Sequence, residues 1–154
     1  MDYDWSVFAA RLDVVLTELA AREEHMVLII SDSREKSCFA QYLCGGDFDG
    51  IWAEVASNKY LPQDRQLSNE DQKRLAADGW DRPKRWWRNT GVPNWSSFHS
   101  AGRGIRHRAL ADMTVRALRD AMRVESAQLL CYDAFVQATG EPITIDRLEL
   151  PRQS

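Results

Sequence analysis

Apolar residues of the first segment, Asp4 to about Glu24, recur at Trp5, Phe8, Leu12, Val15 (with Leu16) and Leu19. Steps of three and four place them on one stripe of an α-helix, and Asp4 stands where an N-cap is needed. Arg11, Asp13, Glu18, Arg22 and Glu23 occupy much of the remaining circumference, so an amphipathic helix with a solvated outer face is predicted. From Met26 the period changes. Met26–Ile30 is a dense apolar run that reads as a buried strand. Ser37–Leu43 follows with Cys38, Ala40 and Tyr42 on one face. In Ile51–Ala56, residues Ile51, Ala53 and Val55 point one way and Trp52 and Glu54 the other. The polar stretch Asp32–Lys36, then Gly45-Gly46-Asp47 and Asp49-Gly50, are turn signals. Three short strands on tight turns predict an antiparallel meander. The connections are too short for parallel crossovers, which excludes a Rossmann-type sheet here.

A second helix is predicted from Ser68, whose hydroxyl would cap it, with Glu70 and Asp71 in the first turn. Gly79 suits the left-handed position after its end, and Trp80 would fold back on Leu75 in a Schellman-like stop. Asp81 to Gly104 is broken by Pro83, Gly91, Pro93, Gly102 and Gly104, with a short strand predicted at Trp95–His99. A third helix is expected over Ile105–Arg123, with Arg116, Arg119 and Arg123 toward its C-terminal end. Leu129–Val136 fits either helix or strand. The turn-like Thr139-Gly140-Glu141-Pro142 and the β-branched Ile143–Ile145 predict a closing hairpin. The expected class is α+β, in one domain spanning residues 1–154.

The 154 residues are 44% apolar and 28% charged with a net charge of −3, which excludes a disordered or collagenous chain. The longest apolar run is too short to cross a bilayer. Met1-Asp2-Tyr3-Asp4 is acidic where an export signal would be basic, so a cytoplasmic protein is expected. Cys38, Cys44 and Cys131 show no CxxC spacing and read as small apolar fillers in a reducing compartment. With His25, His99 and His107 scattered, no metal site and no cofactor are expected.

Charge is the chief local anomaly. Arg82, Lys84, Arg85, Arg88, Arg103, Arg106 and Arg108 occur without one Asp or Glu among them, interleaved with Trp86, Trp87, Trp95 and Phe98. Such a stretch can build a groove for single-stranded nucleic acid through phosphate contacts and base stacking. Inward-packed tryptophans, with arginines that are solvated or pair with the acidic helices, are the favoured reading, because adjacent Trp86 and Trp87 do not readily face one groove. No phosphate-cradling loop, GxSxG elbow or HExxH helix occurs. Glu54 beside Trp52 is a lone acid, and His99 and His107 lack a neighbouring acid in sequence to orient them. An enzyme is therefore not expected.

Gln41, then Trp52–Leu61, then Leu67-Ser68…Leu75…Gly79-Trp80-Asp81-Arg82-Pro83…Pro93-Asn94-Trp95 form a distinctive progression. It continues through Leu118-Arg119-Asp120 and Leu130–Phe135, and resembles the actinobacterial TY-Chap families, predicted relatives of type III secretion chaperones and YbjN proteins. The most specific part is Gly-Trp-x-x-Pro followed by Asn-Trp. Ile145–Leu150 departs from the expected Leu-Gly-Leu ending. The resemblance implies an α+β fold of a helix, a three-stranded antiparallel meander, a helix, further strands and a long helix. It also implies a chaperone-like module binding an extended peptide or client segment, with Gln41, Trp52 and Glu54 as candidate contacts on a sheet face opposite the first helix. Gly79, Trp80, Pro83, Asn94 and Trp95 match the signature in what reads as a structural role. A homodimer is a further expectation, because the stripes of the first and third helices are broad enough to serve both core and partner.

Overall fold

The computed structural model describes residues 3–85, 91–100 and 107–153. Helix α1 (Trp5–Ala20) begins where Asp4 accepts a hydrogen bond from the Val7 amide, and its stripe Phe8, Leu12, Val15, Leu16 and Leu19 is buried. Strands β1 (His25–Asp32), β2 (Phe39–Gly45) and β3 (Gly50–Val55) form the meander. The turn after β2 depends on Gly45: its φ is +83°, and a Cβ there would lie 2.4 Å from the Glu24 carbonyl oxygen.

Helix α2 (Asn69–Asp78) has the expected ends. Ser68 and Asp71 form a reciprocal capping box, and Gly79 is left-handed at φ +112°. The Gly79 amide donates to Ala76 and the Trp80 amide to Leu75, which is the Schellman pattern, with Leu75 and Trp80 both buried. A two-stranded ribbon, β4 (Lys84–Arg85) with β5 (Gly91–Val92), precedes β6 (Trp95–Ser100). Helix α3 (Arg108–Val115) starts later than expected and passes into a π-helical turn over Arg116–Ala121. The chain leaves that turn at Arg123, which is left-handed without being glycine (φ +61°) and donates to the Asp64 carbonyl. Leu130–Val136 is a strand, β7. The hairpin expected after it reduces to a turn and one isolated bridge, Phe135 to Pro142, with no strand at Ile143–Ile145.

The five longer strands make one antiparallel sheet in the order β6-β3-β2-β1-β7, so the class is α+β. Met26, Leu28 and Ile30, Ala40, Tyr42 and Cys44, Ile51, Ala53 and Val55, with Tyr132, Ala134 and Val136, form its buried face. Helix α1 packs on β2 and β3 and against α3. The Tyr42 hydroxyl lies 2.6 Å from that of Thr114 on α3, whose own proton goes to the Leu110 carbonyl, so Tyr42 is the donor. Asp13, expected on the solvated side of α1, is instead 3% exposed and accepts from the His107 amide at the start of α3. A negative side chain there is favoured by the partial positive charge of a helix N-terminus.

All three cysteines are buried and unpaired. Burial pushes the thiol of Cys38 up to about 11 and that of Cys44 up to about 12, so both stay protonated and inert at neutral pH. Among the described residues, no helix is long and apolar enough to cross a membrane.

Candidate functional site

The helices lie on one side of the sheet, and the other side is set by strand register. Phe135, Val27, Leu43, Trp52 and Phe98 pair in turn across all five strands, from β7 through β1, β2 and β3 to β6. At about 4.8 Å per strand this apolar row is roughly 20 Å wide. Phe135, Val27, Leu43 and Trp52 are half-buried, and Phe98 is 50% exposed and meets Phe48 edge to face. The adjacent row on the same face is polar but for Ile29: Asp133, Ile29, Gln41, Glu54 and Ser96. A third, shorter row brings Phe39 beside Ser31, and Phe39 packs against the exposed Tyr60.

Gln41, Trp52 and Glu54 thus stand together on the face away from α1. Gln41 is directly across from Glu54, and Trp52 is two residues along the same strand. The Trp52 indole donates to one Glu54 carboxylate oxygen (3.0 Å) and the Asn94 amide donates to the other (3.1 Å). Both oxygens already accept, so Glu54 orients Trp52 on the surface. A shallow depression of about 270 Å3 opens between β7, β1 and β2, lined by Ile29, Ser31, Lys36, Phe39, Gln41, Asp133 and Gln153.

The signature residues lie mainly beneath this surface. Trp80 and Trp95 are 2% and 1% exposed and belong to the core. Asn94 also accepts from the Ser57 amide, and Ser57 donates to the Pro93 carbonyl, which ties the end of β3 to the start of β6. Pro83 is exposed. Of the basic set, Arg82 and Lys84 are exposed, and the Arg82 guanidinium lies 5.3 Å from the Trp95 ring centroid. Arg85 lies in β4. Arg88, Arg103 and Arg106, with Trp86 and Trp87, fall outside the described residues. Trp95 is spent on the core and offers no platform for a base, so the described part of the stretch lends the nucleic-acid reading no support.

Both sheet borders are partly taken by the chain itself. On the β6 side, Asp81 and Ser96 exchange both backbone hydrogen bonds (2.7 and 3.1 Å). On the β7 side, Tyr132 donates to Pro151 and accepts from Gln153, Ala134 accepts from Ile143, and Val136 donates to Glu141.

Histidines and acid also meet, though on the buried side. The Ser97 hydroxyl is 2.9 Å from His99 Nε2. Burial, with a smaller effect from the charge of His107, holds His99 below the usual imidazole value. Burial does the same to His107, partly offset by Asp13. Asp13 is the acid near His107 that reading along the chain did not supply; it comes from α1. Among the described residues, no cluster could hold a metal ion.

The family described as "T3SS (YopN, CesT) and YbjN peptide-binding chaperone 3", TY-Chap3, matches residues 1–136. The chain belongs to the TY-Chap3 family. No curated protein and no solved structure matches it. In this TY-Chap3 chain the matched region ends with the last residue of β7. The segment that borders β7 from Glu141 to Gln153 lies beyond it.

The family description sets a peptide-binding, chaperone-like role. The sequence had already singled out Gln41, Trp52 and Glu54, but it missed most of the apolar row around them. Val27 was hidden inside an uninterrupted apolar run, Phe98 was read as part of a basic stretch, and Phe135 sat in a segment of undecided type. The usable signal was the run itself, because a strand apolar on both faces in a sheet with helices on one side puts apolar groups in the open.

Proposed function

We propose that this chain is a non-enzymatic chaperone module of the cytoplasm that holds an extended segment of a client protein against its helix-free sheet face. The carrying observation is the apolar row Phe135–Val27–Leu43–Trp52–Phe98 beside the polar row containing Gln41 and Glu54. An extended client has side chains that alternate in direction and backbone groups that need partners. An apolar ladder flanked by amide and carboxylate groups suits both needs, and the family description supports the reading. Trp52 is the central anchor, held by Glu54 and, through it, by Asn94. The stripes on which a homodimer was expected are buried within the one chain along α1 and most of α3. A second copy would accordingly meet the sheet face rather than the helices.

The test is selection of 12-residue peptides from a random display library on the purified chain, followed by fluorescence anisotropy. Trp52→Ala should weaken the selected peptides at least about tenfold, or ~1.4 kcal/mol. Unchanged affinity in a folded Trp52→Ala protein would remove the face as the binding site.

A further inference from the structure

The β7 border is where a sixth strand would add to the sheet, and the chain's own last described residues already sit there. Tyr132 donates to the Pro151 carbonyl (3.1 Å) and accepts from the Gln153 amide (2.7 Å), with Arg152 in parallel register beside it. The stretch leading there is built in two parts. Leu148 is fully buried, its carbonyl accepts from the Tyr3 hydroxyl, and its neighbour Arg147 pairs with Glu18 on α1. Past Leu148 the chain turns at Glu149, a non-glycine residue with φ +55°, and reaches the border with Pro151 and Arg152 exposed. Gln153 borders the depression on the open face that Ile29, Phe39 and Gln41 line.

We infer that Pro151–Gln153 is an internal stand-in for the client. On this inference an extended peptide displaces it, pairs in parallel with β7 through both backbone groups of Tyr132, and lays one side chain into the depression. This rests on the peptide-binding reading above and adds the border, the strand direction and the competitor. A sheet edge left open pairs readily with other chains, and a short strap of the same chain prevents that until a client arrives. Buried Leu148, together with the Arg11–Glu149 ion pair and the Glu149 amide bonded to the Asp146 carbonyl, keeps the tether in place when the strap lifts. The lining chemistry also describes the client. The aromatic wall of Phe39 with Ile29 takes an apolar stem, and Gln41 takes an amide or hydroxyl tip, as on Gln153 itself.

The test uses the full chain and Gln153→Pro, which removes the amide donated to Tyr132. The probe is a fluorescein-labelled synthetic peptide of residues 148–153. It should bind the variant at least tenfold more tightly than the unaltered chain, and the Tyr132 amide should regain protection from hydrogen exchange when it binds. Equal affinities, or no binding to either protein, overturn the inference and leave the open-face reading to its own test with library peptides and Trp52→Ala. A second measurement needs no variant. In the unaltered chain the Tyr132 and Gln153 amides should exchange at least a hundredfold faster than that of Tyr42 in the sheet centre. Exchange at the rate of Tyr42 would show a strap that opens only with the whole fold, and would equally overturn the inference.

Discussion

His99 and His107 sit on the helix-covered side of the molecule, and burial depresses both below the ordinary imidazole value of 6.5. An unfolded chain takes up their protons near that value and the folded chain only at lower pH, so between the two the unfolded state binds more protons. Stability therefore rises with pH through this window and is lost as pH falls below about 6.5. Urea midpoints at successive pH values from 7.5 to 5.5 should show the decline, and His99→Gln should remove roughly half of the slope. The exposed carboxylates act elsewhere. Asp47 is held down chiefly by its hydrogen bond from His25, and Glu125 by that from Arg34, so their support is lost only in the acid range. At this scale local chemistry was legible where partners are close in sequence, as at Ser68 with Asp71. It was not legible at Asp13, whose partner His107 lies 94 positions away.

Helix α2 is the element whose ends were fully written in the chain, because caps are made by residues within a few positions of one another. Gly79→Ala should cost about 1–2 kcal/mol by forcing a side chain into the left-handed region. Its new Cβ would also press on Met113 at 3.3 Å. Ser68→Ala should cost about 1 kcal/mol. Urea unfolding of the two variants and their double would check both values, and distant caps should add. The third helix shows the opposite case. Its periodicity extended the expectation to Arg123, yet the chain widens into a π turn at Arg116 and leaves through a left-handed arginine. The Arg123 contact with Asp64 is a tertiary compensation that no local motif announces. The missing hairpin after β7 has a similar cause: Leu148 is drawn into the core against α1, which carries the chain away from a second strand.

Across the whole molecule the tryptophans divide by depth. Trp80→Ala removes a buried ring and should cost about 3–5 kcal/mol, whereas Trp52→Ala, half-buried on the open face, should cost about 1–2 kcal/mol. Thermal melts of the two variants alongside peptide affinities should separate the roles: Trp80 governs folding, Trp52 binding. The same division explains the basic stretch. Its one described tryptophan belongs to the core, and its exposed ring, Phe98, faces the apolar row rather than a polyanion groove.

Most element types, the caps of α2 and the α+β class were determined along the chain, because each depends on periodicity or on residues within a few positions, whereas Leu130–Val136 became a strand through its pairing with β1. Which apolar residues remain in the open was decided only in three dimensions. Helices cover one side of the sheet, so the alternate residues of β1 that looked merely buried became a surface. The closing of the β7 border was also a tertiary outcome. It depends on Leu148 packing against α1 and delivering Pro151–Gln153 to Tyr132, a meeting of segments about twenty residues apart that only the packed core brings within hydrogen-bonding distance.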